Sequence, residues 1–247
     1  MPPSSPSTQD ALFRKLETVV NLTSEERKAI ERLPAHVRNT GNGETLLREG
    51  DRPSQCCLIL SGLACRQKFV GNGHRQIMSF HILGDLPDLQ SLYLDVMDHE
   101  VAMLRSGKVA FISHVAIREL IEQHPRMGAA FWRHTLIDAA IFRAWMVNIG
   151  RRSAHSRVAH LLCELVVLAR VVGLGKKVIH HLPTQEELGD ALGLSIVHIN
   201  RTMRHLRDEQ LIATEGRQLS ILDWKGLQRA GEFDPAYLHL KRTVVGG

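Results

Sequence analysis

The segment Thr184-Gln185-Glu186-Glu187 places a hydroxyl three residues ahead of a carboxylate. At that spacing each side chain satisfies the other's orphan backbone amide at the start of a helix. A helix therefore begins here, buries Leu188 and Leu192, keeps the small Gly189 where a second helix must come close, and stops at Gly193 with Leu194 as the apolar plug of the turn. Ser195 caps a second helix, in which Ile199, Met203 and Leu206 face inward. Its outer face carries His198, Asn200, Arg201, Arg204, His205 and Arg207, with no acid between Ser195 and Arg207. A guanidinium matches the paired acceptors of a guanine edge, and a carboxamide can serve adenine or a phosphate.

Two short helices, a Gly-containing turn and a small residue at the crossing describe a helix-turn-helix. Its second helix would meet base edges near its N-terminus and phosphates further along. A cationic helix face is more often merely solvated, but the capped helix pair in front of it argues for DNA. Leu211 to Thr214 and Gln218 to Ile221 read as two strands around Glu215-Gly216-Arg217, a wing with Arg217 at its tip. The DNA-facing set is thus Thr184, Ser195, His198, Asn200, Arg201, Arg204, His205 and Arg217.

The rest of the chain must position that set. Its 247 residues, 44% hydrophobic and 23% charged, suit an ordinary globular protein of two modest domains. Net charge is only +5, and the excess sits between Arg151 and Leu182, where six basic residues face one acid, Glu164. Charge alone does not name the partner.

Met1 to Asp10, rich in Pro and Ser and without basic or apolar signal regions, reads as a disordered leader of a cytoplasmic protein. Helical periodicity follows from Ala11 to Glu31, with Thr23 or Ser24 as a cap. From about Thr40 to His114 come short apolar runs punctuated by Asn42-Gly43, Ser61-Gly62 and Asn72-Gly73, the pattern of many short antiparallel strands joined by tight hairpins. Helical periodicity returns near Val115.

From Pro125 a long helix carries apolar residues on more than one face. One face packing on the β domain and another on the same helix of a second subunit would explain the width, with Ile137, Ile141, Ala144 and Trp145 as the dimer contact. Gly150-Arg151-Arg152-Ser153 reads as a hinge and a fresh N-cap, followed by a helix that stops at Gly173-Leu174-Gly175.

With these elements in place, residues 22 to 233 resemble the Crp/Fnr family of bacterial regulators. Leu182 to Ile221 looks like its winged helix. Glu49-Gly50-Asp51 followed by Leu58-Ile59-Leu60-Ser61-Gly62 looks like its cyclic-nucleotide-binding-type β-roll. The resemblance implies an α+β protein: a double-stranded β-helix (β-roll or jelly-roll) domain, a dimerisation helix and a C-terminal winged helix-turn-helix. The expected boundaries are 1–21 for leader and helix start, 22–124 for the sensory β-roll, 125–150 for the dimerisation helix and 151–247 for the DNA-binding domain. It further implies a homodimer on a two-fold symmetric duplex site in contact with RNA polymerase. Arg201 matches the family's base-reading arginine, whereas Val197 stands where a glutamate usually precedes it by four residues, so the family's preferred half-site does not carry over.

The effector half departs further. Cyclic-nucleotide binders of the family carry Gly-Glu and, about ten residues later, Arg-Ser or Arg-Thr. This chain reads Gly84-Asp85-Leu86, then Asp98-His99-Glu100 where the arginine should come, an acidic stretch that would repel a cyclic phosphate. These residues, Gly84, Asp85, Leu86, Asp98 and His99, are the candidate effector pocket, with cyclic AMP disfavoured and the effector unknown. The iron-sulfur members bear N-terminal cysteines, and here none precedes Cys56. The adjacent Cys56 and Cys57 read as core filler, and no cofactor or metal site is expected. No catalytic motif is present. The alternatives are a cyclic-nucleotide-responsive regulator, or an interaction module that has lost DNA reading.

Overall fold

The computed structural model describes residues 7–18, 20–175, 178–179 and 181–241. The chain divides into two compact units, Met1–Lys68 with Met78–Asp138, and Phe69–Ile77 with Ala139–Gly247. In the first, two helices lead in: α1 (Thr8–Glu17), capped by Ser7, and α2 (Ser24–Glu31), held by a capping box between Thr23 and Glu26. The first three residues of helix α1 fall in the Met1 to Asp10 stretch that composition reads as a disordered leader, and the rest of it lies where helical periodicity is expected. Its Ala11, Leu12 and Leu16 are buried. Met1 to Pro6 fall outside the described residues.

The strands β1 (Ala35–Thr40), β2 (Thr45–Leu47), β3 (Gln55–Phe69), β4 (Arg75–His81) and β5 (Glu100–Ser113) form one antiparallel sheet in the order β1-β5-β3-β4, with β2 also paired to β5. Two of these strands are long, where the sequence suggested many short ones. Ser61-Gly62 is not a hairpin; it is an irregularity in the β3–β5 register, between Ile59, Ser61 and Leu63. Gly62 has φ +91°, and a Cβ there would stand 2.7 Å from the Arg105 carbonyl oxygen. Such bulges bend a strand. Cys57, Ile59 and Val109 on one side of the bend and Ala64, Val101 and Met103 on the other meet in one core with Met97. Helix α3 (His114–Gln123) follows, capped by Ser113. The long α4 (Pro125–Arg151) opens with proline, whose missing N–H costs nothing in a first turn.

In the second unit, α5 (Ala154–Val171), capped by Ser153, is buried almost throughout. Around it stand β6 (Val178–Ile179), α6 (Gln185–Leu192), α7 (Ile196–Asp208), β7 (Ile212–Glu215), β8 (Gln218–Ile221) and α8 (Trp224–Ala230), followed by a 3-10 turn at Pro235–Leu238. The three strands are ordered β6-β8-β7. Strand β6 is a third strand beneath the wing that two residues of pattern do not announce.

Candidate nucleic-acid interface

The capping box at α6 is formed as the sequence requires. Thr184 Oγ1 accepts from the Glu187 amide at 3.2 Å, and Glu187 Oε2 accepts from the Thr184 amide at 2.7 Å. At the far end Gly193 adopts the left-handed conformation, φ +63°, and the Leu194 amide donates to the Gly189 carbonyl at 3.1 Å. Gly189 is bare for a reason: a Cβ would lie 2.6 Å from the Leu194 carbonyl oxygen. Ser195 then caps α7, its Oγ accepting from the His198 amide at 3.3 Å and standing 2.9 Å from His198 Nδ1.

Helix α7 buries Ile199, Thr202, Met203 and Leu206. Ser195, Ile196, Val197, His198, Asn200, Arg201, Arg204 and His205 are exposed. Asn200, Arg201 and Arg204 make no ion pair or side-chain hydrogen bond among the described residues. His205 sits edge-on to the His155 ring at 6.4 Å, and Arg207 donates to Thr214 Oγ1 at 3.3 Å. Arg217 is exposed at the wing turn beside Gly216, φ +56°. All of the sequence-derived set therefore lies on α7, the wing or the start of α6.

The basic excess after Arg151 is spent within the unit instead. Arg157 donates to the Leu192 and Arg152 carbonyls at 2.7 and 3.2 Å, Arg152 pairs with Glu232, and Arg170 lies over the Trp224 ring at 5.3 Å. Lys176 and Lys177 lie outside the described residues.

The same unit holds a buried polar chain, unread in the sequence. Trp145 Nε1 donates to Glu164 Oε1 at 2.8 Å, and the Tyr237 hydroxyl donates to the other carboxylate oxygen. The same hydroxyl stands 3.2 Å from His160 Nε2, while His160 Nδ1 is 3.0 Å from the Gly231 carbonyl oxygen. Burial raises Glu164 to about 7 and lowers His160 to about 4. Only the spacing of Glu164 inside an apolar helix signalled it.

Trp145 is thus held by its own chain. On α4 the exposed apolar residues are Trp132, Leu136, Phe142, Met146 and Val147. At about 100° per residue, Trp132, Leu136, Met146 and Val147 share one side, and Ile137, Ile141, Ala144 and Trp145 fall on the opposite one, half-buried or buried. The apolar stripe wraps the helix, so periodicity did not say which side the chain itself covers.

In the first unit the expected effector residues do not form an open pocket. Asp85 is 5% exposed. Its carboxylate pairs with Lys15 of α1 at 2.6 Å, lies 3.6 Å from His81 Nδ1 and accepts from the Ile82 amide at 2.8 Å. Burial alone would raise this carboxyl; the Lys15 ammonium and His81 hold it well below the usual range. Helix α1 presses on the same turn, for a Cβ on Gly84 would stand 2.7 Å from the Ala11 carbonyl oxygen. Leu86 is buried. Asp98 is exposed and 2.6 Å from Nδ1 of the buried His99.

Arg66, itself buried, pairs with Asp138 and donates to the Pro87 carbonyl at 2.6 Å. Asp88 accepts from the Cys57 amide at 2.9 and 3.1 Å, and burial raises it to about 7. Burial likewise pushes the Cys56 and Cys57 thiols up. Among the described residues no group of three or more His, Cys, Asp or Glu is arranged to hold a metal. An apolar cavity of about 530 Å³ lies elsewhere, lined by Leu89, Leu92, Tyr93, Phe131, Trp132 and Thr135 among others. Sequence pattern gave no sign of it.

Profiles of known families match both halves: the cyclic nucleotide-binding domain at residues 37–124 and the Crp-like helix-turn-helix domain at 156–230. The chain belongs to the Crp/Fnr family. It is 24% identical over 215 residues to the transcriptional activator protein anr of Pseudomonas aeruginosa, covering 87% of this chain and 88% of that one. It is 28% identical over 206 residues to the transcriptional activatory protein AadR of Rhodopseudomonas palustris, covering 81% and 82%. Among solved structures, FixK2 from Bradyrhizobium japonicum superposes with a TM-score of 0.73 at 20% identity, over 80% of this chain and 98% of that one. As a Crp/Fnr regulator this chain is a DNA-binding transcription regulator, and no described helix is long and apolar enough to cross a membrane. The segment from Gly231 to Lys241, which carries Tyr237, lies beyond the matched region.

Proposed function

We propose that this Crp/Fnr regulator is a non-catalytic, cytoplasmic protein that acts as a homodimer on a two-fold symmetric duplex site, without cyclic AMP or an iron-sulfur cluster. The observation that carries this reading is the outer face of α7, where Asn200, Arg201 and Arg204 stand exposed with no ion pair or side-chain hydrogen bond among the described residues. Arg201 reads a guanine edge, with Asn200 and His198 beside it. Arg204, His205, Arg217, Ser195 and the Thr184 end of α6 meet the backbone. The dimer forms through the exposed stripe of Trp132, Leu136, Met146 and Val147 on α4. RNA polymerase is the downstream partner by family membership.

The reading without cyclic nucleotide rests on Asp85. Its carboxylate, at the position corresponding to the ribose-binding acid, is already matched by Lys15. The match of residues 37–124 to a cyclic nucleotide-binding profile favours a second reading, a nucleotide-responsive regulator. Selection of the purified chain on random duplex DNA at two salt concentrations, without and with cyclic AMP, tests both. An enriched palindrome with half-site centres about one helical turn apart, obtained without nucleotide, supports the first reading. Enrichment only with nucleotide supports the second. Weak, salt-sensitive binding with no motif in either arm overturns both.

A further inference from the structure

The first turn of α7 carries two exposed aliphatic side chains in an otherwise polar face: Ile196 is 50% exposed and Val197 75%. Single exposed aliphatics are common and usually mean nothing. This pair differs by its place. Val197 precedes Arg201 by four residues, so the two side chains are neighbours on one side of the helix, with Cβ atoms about 5–6 Å apart. That separation is one to two base-pair steps of about 3.4 Å. The first turn is also the part of such a helix that reaches base edges.

Val197 keeps three quarters of its surface outside the packing of its own unit. Ile199, Met203 and Leu206 take the inward positions. His198, the adjacent polar residue, is turned back toward Ser195 Oγ. A β-branched side chain has essentially one rotamer in a helix, so Val197 offers two methyl groups at fixed positions. It has no donor or acceptor with which to read a hydrogen-bonding edge. What an apolar surface can recognise in the major groove is the 5-methyl group of thymine.

We propose that Val197, with Ile196 beside it, is a specificity-determining residue that selects a 5-methylpyrimidine next to the base pair read by Arg201. This inference rests on the DNA-reading assignment above. It makes the half-site depend on a methyl group, whose burial against the valine adds about fourfold in affinity per half-site and about fifteenfold for a two-fold site.

The test starts from the motif enriched by the wild-type chain. Each thymine of the half-site is replaced in turn by deoxyuridine, which removes the methyl group and keeps every hydrogen-bonding atom. One position, within two base pairs of the guanine lost in Arg201→Ala, should weaken wild-type binding about fourfold per half-site. In Val197→Ala the same replacement should have little effect. Placing 5-methylcytosine instead of cytosine at that position should restore part of the wild-type affinity and so separate methyl reading from thymine reading as such. Val197→Glu, whose carboxylate can accept from the cytosine amino group, should move the preference at that position toward cytosine. An enriched motif in which every deoxyuridine probe binds like its thymine counterpart, or in which Val197→Ala retains the full methyl dependence, overturns this inference and leaves DNA reading intact. Failure to enrich any motif overturns both together.

Discussion

The outer face of α7 and the turn at Gly84-Asp85 both gather charged residues, yet they treat charge in opposite ways. On α7, Arg201 and Arg204 are exposed and make no ion pair among the described residues. At Gly84-Asp85 the acid is buried and already matched by Lys15 and His81, while Arg66 beside it is matched by Asp138. Exposed charge without a partner is available to bind something else. Buried, mutually paired charge holds the fold, because breaking such a pair strands an ion away from water. The difference explains why one half of the molecule yields a function on inspection and the other does not.

The comparison is broken most sharply by Arg201→Ala. Loss of a bidentate guanine contact is worth about 1–3 kcal/mol per half-site, so anisotropy titrations should show specific binding falling by about 100-fold on a two-fold site, with thermal stability unchanged. Lys15→Gln should do the reverse. Stranding Asp85 costs about 3 kcal/mol, seen as a lower unfolding midpoint in denaturant, with DNA affinity of the folded protein retained. Because the Asp85 carboxyl is held low in the folded chain, the Lys15–Asp85 contribution is present above about pH 4 and is lost as pH falls below that. The deficit of the variant should therefore shrink in acid. If Lys15→Gln instead changes DNA affinity and spares stability, the contrast between the two regions fails.

Two smaller effects sharpen it. Arg204→Gln, which on the proposed dimeric reading removes a phosphate contact from each protomer, should weaken specific and non-specific DNA alike and reduce the salt slope by about two per dimer. Glu164→Gln tests the buried chain. Glu164 is raised to about 7 in the folded unit, so the folded state holds its proton where the unfolded one has released it. Stability from this group is full below about pH 4.5 and declines as pH rises through 7. The glutamine variant, neutral throughout and still able to meet Trp145 and Tyr237, should remove that decline in melting scans between pH 5 and 8. His160, lowered to about 4, works in the other direction, losing stability as pH falls from about 6.5; its contribution remains in the variant.

Legibility in the sequence followed the range of the interactions. The capping box, the Gly189 crossing, the Gly193 stop and the Ser195 cap are each set within a few residues, and all four are found in the structure. What the sequence missed depends on distant partners. Ser61-Gly62 looks like a turn until Arg105 and Ser106 are known to run beside it. The apolar wrap of α4 does not say which side meets its own chain. Asp85 reads as repelling acid because Lys15, seventy residues earlier, is invisible to local pattern. The Trp145, Glu164 and Tyr237 chain joins three elements separated by up to 92 positions, and only folding brings them together.

The four cysteines, Cys56, Cys57, Cys65 and Cys163, have a practical consequence. All are buried, and maleimide reagents require an accessible thiolate. A single cysteine introduced at an exposed position, such as Lys28→Cys in the first unit or Lys225→Cys in the second, should therefore label selectively without first removing the native thiols. Fluorophores or spin labels attached there would measure the spacing of the two units, with and without DNA, in an otherwise unaltered chain.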